Sequence, residues 1–150
     1  MLKQSLSFIL YFCSFKTSIQ TQLYTPMLIS QRNEEINWAN CKYLVVCKNG
    51  PYESCKEWAH HINEKKLKNI CAILSIPKWY TKAIGSKYLI KKSIYILETR
   101  IPIFIDWEEE FAKSNNINIY PTIVLLKNEN HITELGRVSG KYTNNKLALL

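Results

Sequence analysis

The chain has 150 residues, a length typical of one domain, and 47% of its residues are hydrophobic, enough for a packed core. Its formal net charge of +8 favours acidic partners such as anionic lipid or nucleic acid, but it also fits an ordinary lysine-rich surface. The five cysteines are too few for a disulfide-framework miniprotein and lack paired zinc spacing, so the composition excludes both classes.

The N-terminal segment has the pattern of an export signal. Lys3 precedes an apolar run over residues 5–15, which has about the length of the apolar region of a signal peptide. This run is shorter than the roughly 20 residues that a membrane-spanning helix needs. We therefore interpret residues 1–20 as a signal peptide or N-terminal anchor, with membrane association through residues 5–15. The alternative is an additional strand or helix that packs in the core.

The folded domain is expected to span residues 34–150, because residues 21–33 are polar and mixed and are typical of a linker. The run of residues 42–47 is continuously apolar and β-branched, which predicts a buried central strand that ends at Gly50 and Pro51. The helical spacing of apolar residues from 52 to 66 predicts an amphipathic helix, with Cys55 on its buried face.

The remaining elements alternate between apolar strands and helices. The predicted elements are a short helix at 34–39, strands at 69–76, 101–106, 122–127 and 131–137, and helices at 78–98, 107–115 and 141–150. This order predicts an α/β fold with a mixed sheet that helices cover on both faces. Cys41 and Cys71 are interpreted as core or strand-edge thiols.

Two segments in the second half of the chain resemble the thioredoxin-like superfamily. The stretch Ile-Asn-Ile-Tyr-Pro-Thr-Ile-Val-Leu-Leu-Lys-Asn at 117–128 resembles the loop and strand that follow a cis-proline in this fold. The stretch at 101–117, in which an extended piece and an aspartate precede a helix, is similar to the TlpA-like and redoxin subgroup. The resemblance implies a thioredoxin-like fold with a mixed central sheet flanked by helices. It also implies a cis peptide between Tyr120 and Pro121.

Thioredoxin-like enzymes carry a Cys-x-x-Cys motif where a central strand meets the following helix. Laid against that pattern, Cys55 matches the second cysteine and Tyr52 falls where the nucleophilic cysteine should be. The resemblance therefore implies a degenerate active site with a lone Cys55 and weak or absent dithiol redox activity. Cys47 is the candidate redox partner of Cys55, provided that their Cα atoms approach within about 7 Å.

The resemblance implies protein thiols or extended peptides as partners, held by Tyr120, Pro121 and Thr122. No cofactor, no metal and no nucleic acid is expected, and the chain is expected to be exported. One function is that of a thiol–disulfide oxidoreductase relative that works through Cys55. The alternative is a non-catalytic peptide-binding or protein-binding module of the same fold, which would bind main chain in the groove beside Tyr52. A third alternative is a basic accessory protein at a membrane surface.

Overall fold

The computed structural model describes residues 21–48, 53–81 and 102–150. The strands within these ranges are β1 (Thr21–Gln22), β2 (Ile29–Ser30), β3 (Tyr43–Lys48), β4 (Ile70–Ile76), β5 (Ile103–Trp107), β6 (Thr122–Asn128) and β7 (Ile132–Ser139). The helices described are α1 (Glu53–Glu64), α2 (Lys78–Thr81), α3 (Glu110–Ser114) and α4 (Asn144–Leu147), with a 3-10 helix at Trp38–Asn40. None of these helices is both long enough and apolar enough to cross a membrane.

The described strands form one mixed sheet in the order β1-β7-β6-β3-β4-β5-β2. β3 pairs in parallel with β4, β4 pairs in parallel with β5, and β6 runs antiparallel to β3. These central strands are the continuous apolar runs of the sequence, as expected for strands that are buried on both faces. Their positions confirm the expected α/β class and mixed sheet, with boundaries within about two residues of the predicted ones.

The sheet separates two apolar layers. On one face, Val45 and Ile123 pack against Trp58 and Ile62 of α1. On the other face, a larger cluster includes Leu44 from β3 together with residues of α3 and β6. Leu44 and Val45 reach opposite layers because successive side chains of a strand point to opposite faces.

The segment 21–33 belongs to the folded domain and does not act as a linker to it. β1 pairs with β7, and β2 pairs with β5. Leu23 and Leu28 are buried in the main core cluster. The short helix predicted at 34–39 is instead the 3-10 helix at Trp38–Asn40, which Asn37 caps through its side chain.

A disulfide joins Cys41 to Cys71, with a Cα–Cα distance of 5.5 Å. Both residues are buried. They lie at the amino ends of β3 and β4, so the bond ties these parallel neighbours together. The interpretation of the two residues as core or strand-edge thiols was therefore wrong about their chemical state, because they form a disulfide.

Two other helix predictions need adjustment. The helix expected from Trp107 begins only at Glu110, because Trp107 still belongs to β5 and the next two residues form a left-handed turn. Of the helix expected at 78–98, the structure describes α2, and residues 82–101 lie outside the described residues. The proposed signal or anchor at 1–20 also lies outside them.

Candidate active site

The site lies where β3 ends and α1 begins. Cys47 is the penultimate residue of β3, and Cys55 is the third residue of α1. A disulfide joins them, with a Cα–Cα distance of 6.3 Å. Both residues are partly exposed. The expectation that Cys55 is a lone thiol is not confirmed, because its sulfur is bonded to the sulfur of Cys47.

The sequence places Cys55 on α1 through simple periodicity. Cys55, Trp58 and Ile62 recur at helical spacing, and the latter two are almost fully buried against the sheet. We predicted Cys55 within the first two turns of the helix after β3, and this placement is confirmed. Helix N-terminal N–H groups stabilise a thiolate, and Cys55 is the third residue of α1.

The cis-proline loop, residues 119–122, is the second part of the site. The Tyr120–Pro121 peptide is cis, as predicted. Val46 pairs with Thr122 in the antiparallel β3–β6 ladder, so the next step of the register brings Cys47 opposite Pro121. The loop therefore lies beside the Cys47–Cys55 disulfide at the same edge of the sheet.

Three hydrogen bonds connect this loop to Ser139 at the end of β7 and, through Gly140, to α1. The Gly140 N–H donates to the Pro121 carbonyl at 2.8 Å. The indole N–H of Trp58 donates to the Gly140 carbonyl at 2.9 Å. The Thr122 and Ser139 hydroxyls share a hydrogen bond of 2.8 Å. Helix α1, which carries Cys55, is thus connected to the loop through Gly140.

A buried polar group lies at the same sheet edge, on the face opposite α1. Asp106 is 1% exposed, and its carboxylate accepts hydrogen bonds from the Ser75 hydroxyl and from the N–H groups of Phe111 and Ala112. Burial raises the pKa of Asp106, and the three hydrogen bonds oppose that rise. The carboxylate also holds the first turn of α3 in place.

Tyr120 connects this polar group to the cis-proline loop. Burial raises the pKa of Tyr120 to about 12, and the charge of Glu109 also raises it. Ser75 lowers the pKa of Tyr120 and opposes part of this rise. The Lys48 ammonium lies 3.6 Å from a Glu109 carboxylate oxygen and 5.7 Å from the centre of the Tyr120 ring.

The sequence pointed to some of these residues and missed others. Cys47, Cys55, Tyr120, Pro121 and Thr122 are brought together, whereas Tyr52 lies outside the described residues. The roles assigned to these residues stay predictions. Sequence reasoning gave no role to Ser75, Asp106 and Glu109, although an aspartate before the helix was part of the family resemblance.

The histidines of α1 make ordinary surface contacts. His60 and His61 both lie within 3.2 Å of Glu64 carboxylate oxygens, and the His61 ring stacks on Tyr142. Within the described ranges, no group of three or more His, Cys, Asp or Glu side chains has an arrangement that could hold a metal ion.

Several solved structures resemble the chain in fold. An exposed lipoprotein thioredoxin, Etrx1, from Streptococcus pneumoniae is 12% identical; the match covers 83% of this chain and 95% of that one, with a TM-score of 0.60. A thiol-disulfide isomerase from Corynebacterium glutamicum is 15% identical, with 88% and 94% covered and a TM-score of 0.63. StoA from Bacillus subtilis is 16% identical, with 81% and 92% covered and a TM-score of 0.56.

The sequence matches no protein-family model and no curated protein. At identities this low, the likeness to solved structures concerns the arrangement of the backbone. The central sheet, the helix that carries Cys55 and the cis-proline loop agree with that likeness. The chain therefore has the thioredoxin-like fold that its sequence predicts.

Proposed function

We propose that the protein exchanges thiols and disulfides with other proteins, and that Cys47 and Cys55 form its redox pair. The observation that supports this most strongly is the disulfide between the end of β3 and the first turn of α1, opposite Pro121. Sulfur chemistry at this junction needs a partly exposed cysteine near a helix N-terminus, and Cys55 meets both conditions.

Cys55 is the nucleophile in this proposal. In the reduced protein its thiolate attacks one sulfur of a substrate disulfide, which forms a mixed disulfide and releases the other substrate sulfur as a thiolate. The Cys47 thiolate then attacks the Cys55 sulfur, closes the Cys47–Cys55 bond and releases the second substrate thiol. Two electrons pass from the protein dithiol to the substrate, and the two protons lost by Cys47 and Cys55 end on the substrate thiols.

Substrate binding is assigned to the cis-proline loop. An extended peptide can pair with the main chain at Tyr120, a partly exposed residue, by β-type hydrogen bonds next to the redox pair. Ile119, which is 59% exposed, offers an apolar contact at this place. A cavity beside the two cysteines has room for an apolar side chain. It has a volume of about 620 Å³, and its lining includes Val45, Ala59, Cys47 and Cys55.

General disulfide reductase activity is expected to be weak. Tyr52 stands where the fold usually carries the exposed nucleophile, and the substitute pair is separated by eight positions instead of three. Cys47 sits on a strand that is hydrogen-bonded on both sides, so it has less freedom to follow the attacking thiol than a residue in a helix turn. We therefore propose that the protein acts on a narrow range of substrates.

Export is part of the proposal. Disulfides form and persist in oxidising compartments, and two disulfides occur in the described part of the chain. The similar protein from Streptococcus pneumoniae is described as an exposed lipoprotein, which agrees with this location. Residues 1–20 would then act as a signal or anchor, with residues 5–15 at the membrane.

A second candidate function is a non-catalytic peptide-binding module. The observation in its favour is the absence of a cysteine at position 52, while the cis-proline loop is intact. In that case the Cys47–Cys55 bond would stabilise the loop between β3 and α1 and would not open during function.

A trapping experiment separates the two functions. The Cys47→Ser variant keeps the Cys55 thiol but cannot resolve a mixed disulfide, so it should accumulate an adduct with a disulfide-containing extended peptide. Cys55→Ser is the matched control, because it leaves one thiol at the end of β3, away from the helix N-terminus. We expect trapping by Cys47→Ser to be about tenfold faster than by Cys55→Ser, as measured by mass spectrometry. Equal, slow trapping by both variants would reject Cys55 as the nucleophile.

A further inference from the structure

The turn after β5 has an uncommon backbone. Glu108 and Glu109 have φ values of 61° and 58°, and neither is a glycine. Consecutive left-handed residues with side chains are disfavoured, and such strain persists where surrounding contacts over-determine it. The two glutamates differ in their surroundings, because Glu108 is exposed whereas the Glu109 side chain is only 13% exposed.

Glu109 faces the two chain segments that form the site. Its carboxylate lies 3.6 Å from the ammonium of Lys48, the residue that follows Cys47. Its charge also raises the pKa of Tyr120, the residue that precedes Pro121. The Lys48 ammonium also lies 5.7 Å from the centre of the Tyr120 ring, so Lys48 connects Glu109 to the cis-proline loop. Lys113 adds a weaker contact at 4.0 Å from the exposed side.

We propose that Glu109 is a positioning residue, which holds the cis-proline loop against the end of β3 that carries Cys47. The left-handed turn at Glu108 and Glu109 is explained by this role, because it directs the largely buried Glu109 carboxylate towards Lys48, which lies over the Tyr120 ring. The role of this contact in exchange rests on the function proposed above, whereas its role in holding the loop does not.

The consequence for exchange follows from geometry. A peptide that pairs with the main chain at Tyr120 places its disulfide in line with the redox pair only if the spacing between the loop and β3 stays fixed. Displacing bound groups by about 1 Å costs catalytic reactions up to a hundredfold. Loss of the Glu109 contacts should therefore weaken peptide engagement and leave the intrinsic chemistry of the two sulfur atoms unchanged.

Glu109→Gln tests the proposal, because it removes the charge and keeps the shape. Glu108→Gln is the matched control, since it makes the same change at a neighbouring, exposed residue with the same backbone conformation. The first readout is hydrogen exchange of the Gly140 amide, which donates to the Pro121 carbonyl. We expect exchange about five- to tenfold faster in Glu109→Gln and unchanged in Glu108→Gln. Equal exchange in both variants would overturn the proposal, whether or not the protein is redox active.

The second readout is exchange with a disulfide-containing peptide by the full chain. We expect Glu109→Gln to raise KM about fivefold, with kcat and the reduction potential of the redox pair near the wild-type values. An unchanged KM in an active protein would remove the role in substrate engagement. An inactive wild-type protein would reject the proposed function, and the amide readout would still decide on the positioning.

If Glu109→Gln folds poorly, the variant Lys48→Gln tests the same ion pair. It removes the same ion pair from the half-exposed partner, so it should raise Gly140 exchange in the same direction. The double variant should show no further increase beyond the larger single effect, because both changes break one contact. Fully additive effects would show that Lys48 and Glu109 act independently, against the proposal.

Discussion

Asp106 is the most deeply buried ionisable side chain at the site edge that the structure describes. Three donors converge on its carboxylate, two of them the N–H groups of Phe111 and Ala112 that begin α3. These bonds favour the ionised form, but desolvation outweighs them and raises the pKa of Asp106. The hydrogen bonds that hold the start of α3 and the Ser75 hydroxyl next to Asp106 therefore depend on whether the Asp106 carboxyl is ionised.

The pKa of Asp106 predicts a pH dependence of stability. The pKa of an unperturbed aspartate is about 3.9. The pKa of Asp106 in the folded protein is raised above its unperturbed value. Between the two values the folded state holds more protons than the unfolded state, so the contribution of this group to folding stability falls as pH rises. The stability of the wild type relative to Asp106→Asn should therefore be greatest below about pH 4 and should decrease upward through the raised pKa.

Urea unfolding of both proteins at several pH values between about 3 and 7 measures this difference. Glu108→Gln serves as the control, because Glu108 is exposed and carries the same charge. A difference between wild type and Asp106→Asn that grows as pH rises would contradict the assignment.

Gly140 links two elements, since its N–H binds the cis-proline loop and its carbonyl accepts from Trp58 of α1. Its φ of 89° is a conformation that only glycine adopts without strain. An alanine Cβ there would lie 3.2 Å from the flexible Lys146 ammonium, so most of the expected cost comes from the backbone. Gly140→Ala should lower the free energy of unfolding by about 1–2 kcal/mol.

Gly136→Ala is the comparison for this prediction. Gly136 lies in β7, and an added Cβ would meet nothing within 4 Å. This variant should be neutral or up to about 1 kcal/mol more stable, because alanine restricts the unfolded chain. In thermal melts, the midpoint of Gly140→Ala should lie below that of the wild type, and the midpoint of Gly136→Ala should equal or exceed it. Equal destabilisation by both would show that Gly140 is not held in its left-handed conformation by the site.

The elements differ in how well the sequence foretold them. β3, β4 and α1 were predicted because continuous apolar runs and helical spacing extend over six residues or more. β1 and β2 have two residues each, too few for a periodic pattern, so the sequence offered no signal for them. The turn at Glu108 and Glu109 was missed because left-handed glutamates have no sequence signature, and acidic residues there favour a helix start instead.

The redox pair shows the same limit at the site. Family spacing directs attention from Cys55 to position 52, where the sequence has tyrosine. Cys47 is eight positions away, and whether its Cα comes within disulfide range depends on how α1 leaves the end of β3. The sequence could therefore name Cys47 as a partner but could not establish the contact. The cis-proline loop was predicted because Tyr-Pro-Thr leads directly into a strand.

For the whole molecule, the division between signal and domain gives a further prediction. A chain that starts at Thr21 should unfold at the same temperature as the full chain, because residues 1–20 are proposed to act in export. A chain that starts at Glu34 should be markedly less stable. It loses β1, β2 and the buried side chains of Leu23 and Leu28, each worth roughly 1.5–3 kcal/mol. Thermal melts of the three chains test this, and a lower midpoint for the chain starting at Thr21 would place residues 1–20 in the core.

The two disulfides lie at opposite ends of β3 and differ in exposure. Cys41 and Cys71 are buried among core side chains, whereas Cys47 and Cys55 are partly exposed at the edge that carries Pro121. Structural disulfides in secreted proteins usually have reduction potentials below about −300 mV, while exposed exchange-active ones lie higher. We therefore propose a structural role for Cys41–Cys71 and an exchange role for the redox pair.

A redox titration of the folded full chain tests this assignment most directly. The protein is equilibrated in glutathione buffers of graded potential, its free thiols are alkylated, and each cysteine is read by peptide mass spectrometry. We predict that Cys47 and Cys55 become reduced at a potential above about −300 mV while Cys41–Cys71 stays oxidised. Opening of Cys47–Cys55 only at lower potentials, or only together with Cys41–Cys71 as the protein unfolds, would contradict a redox role for this pair.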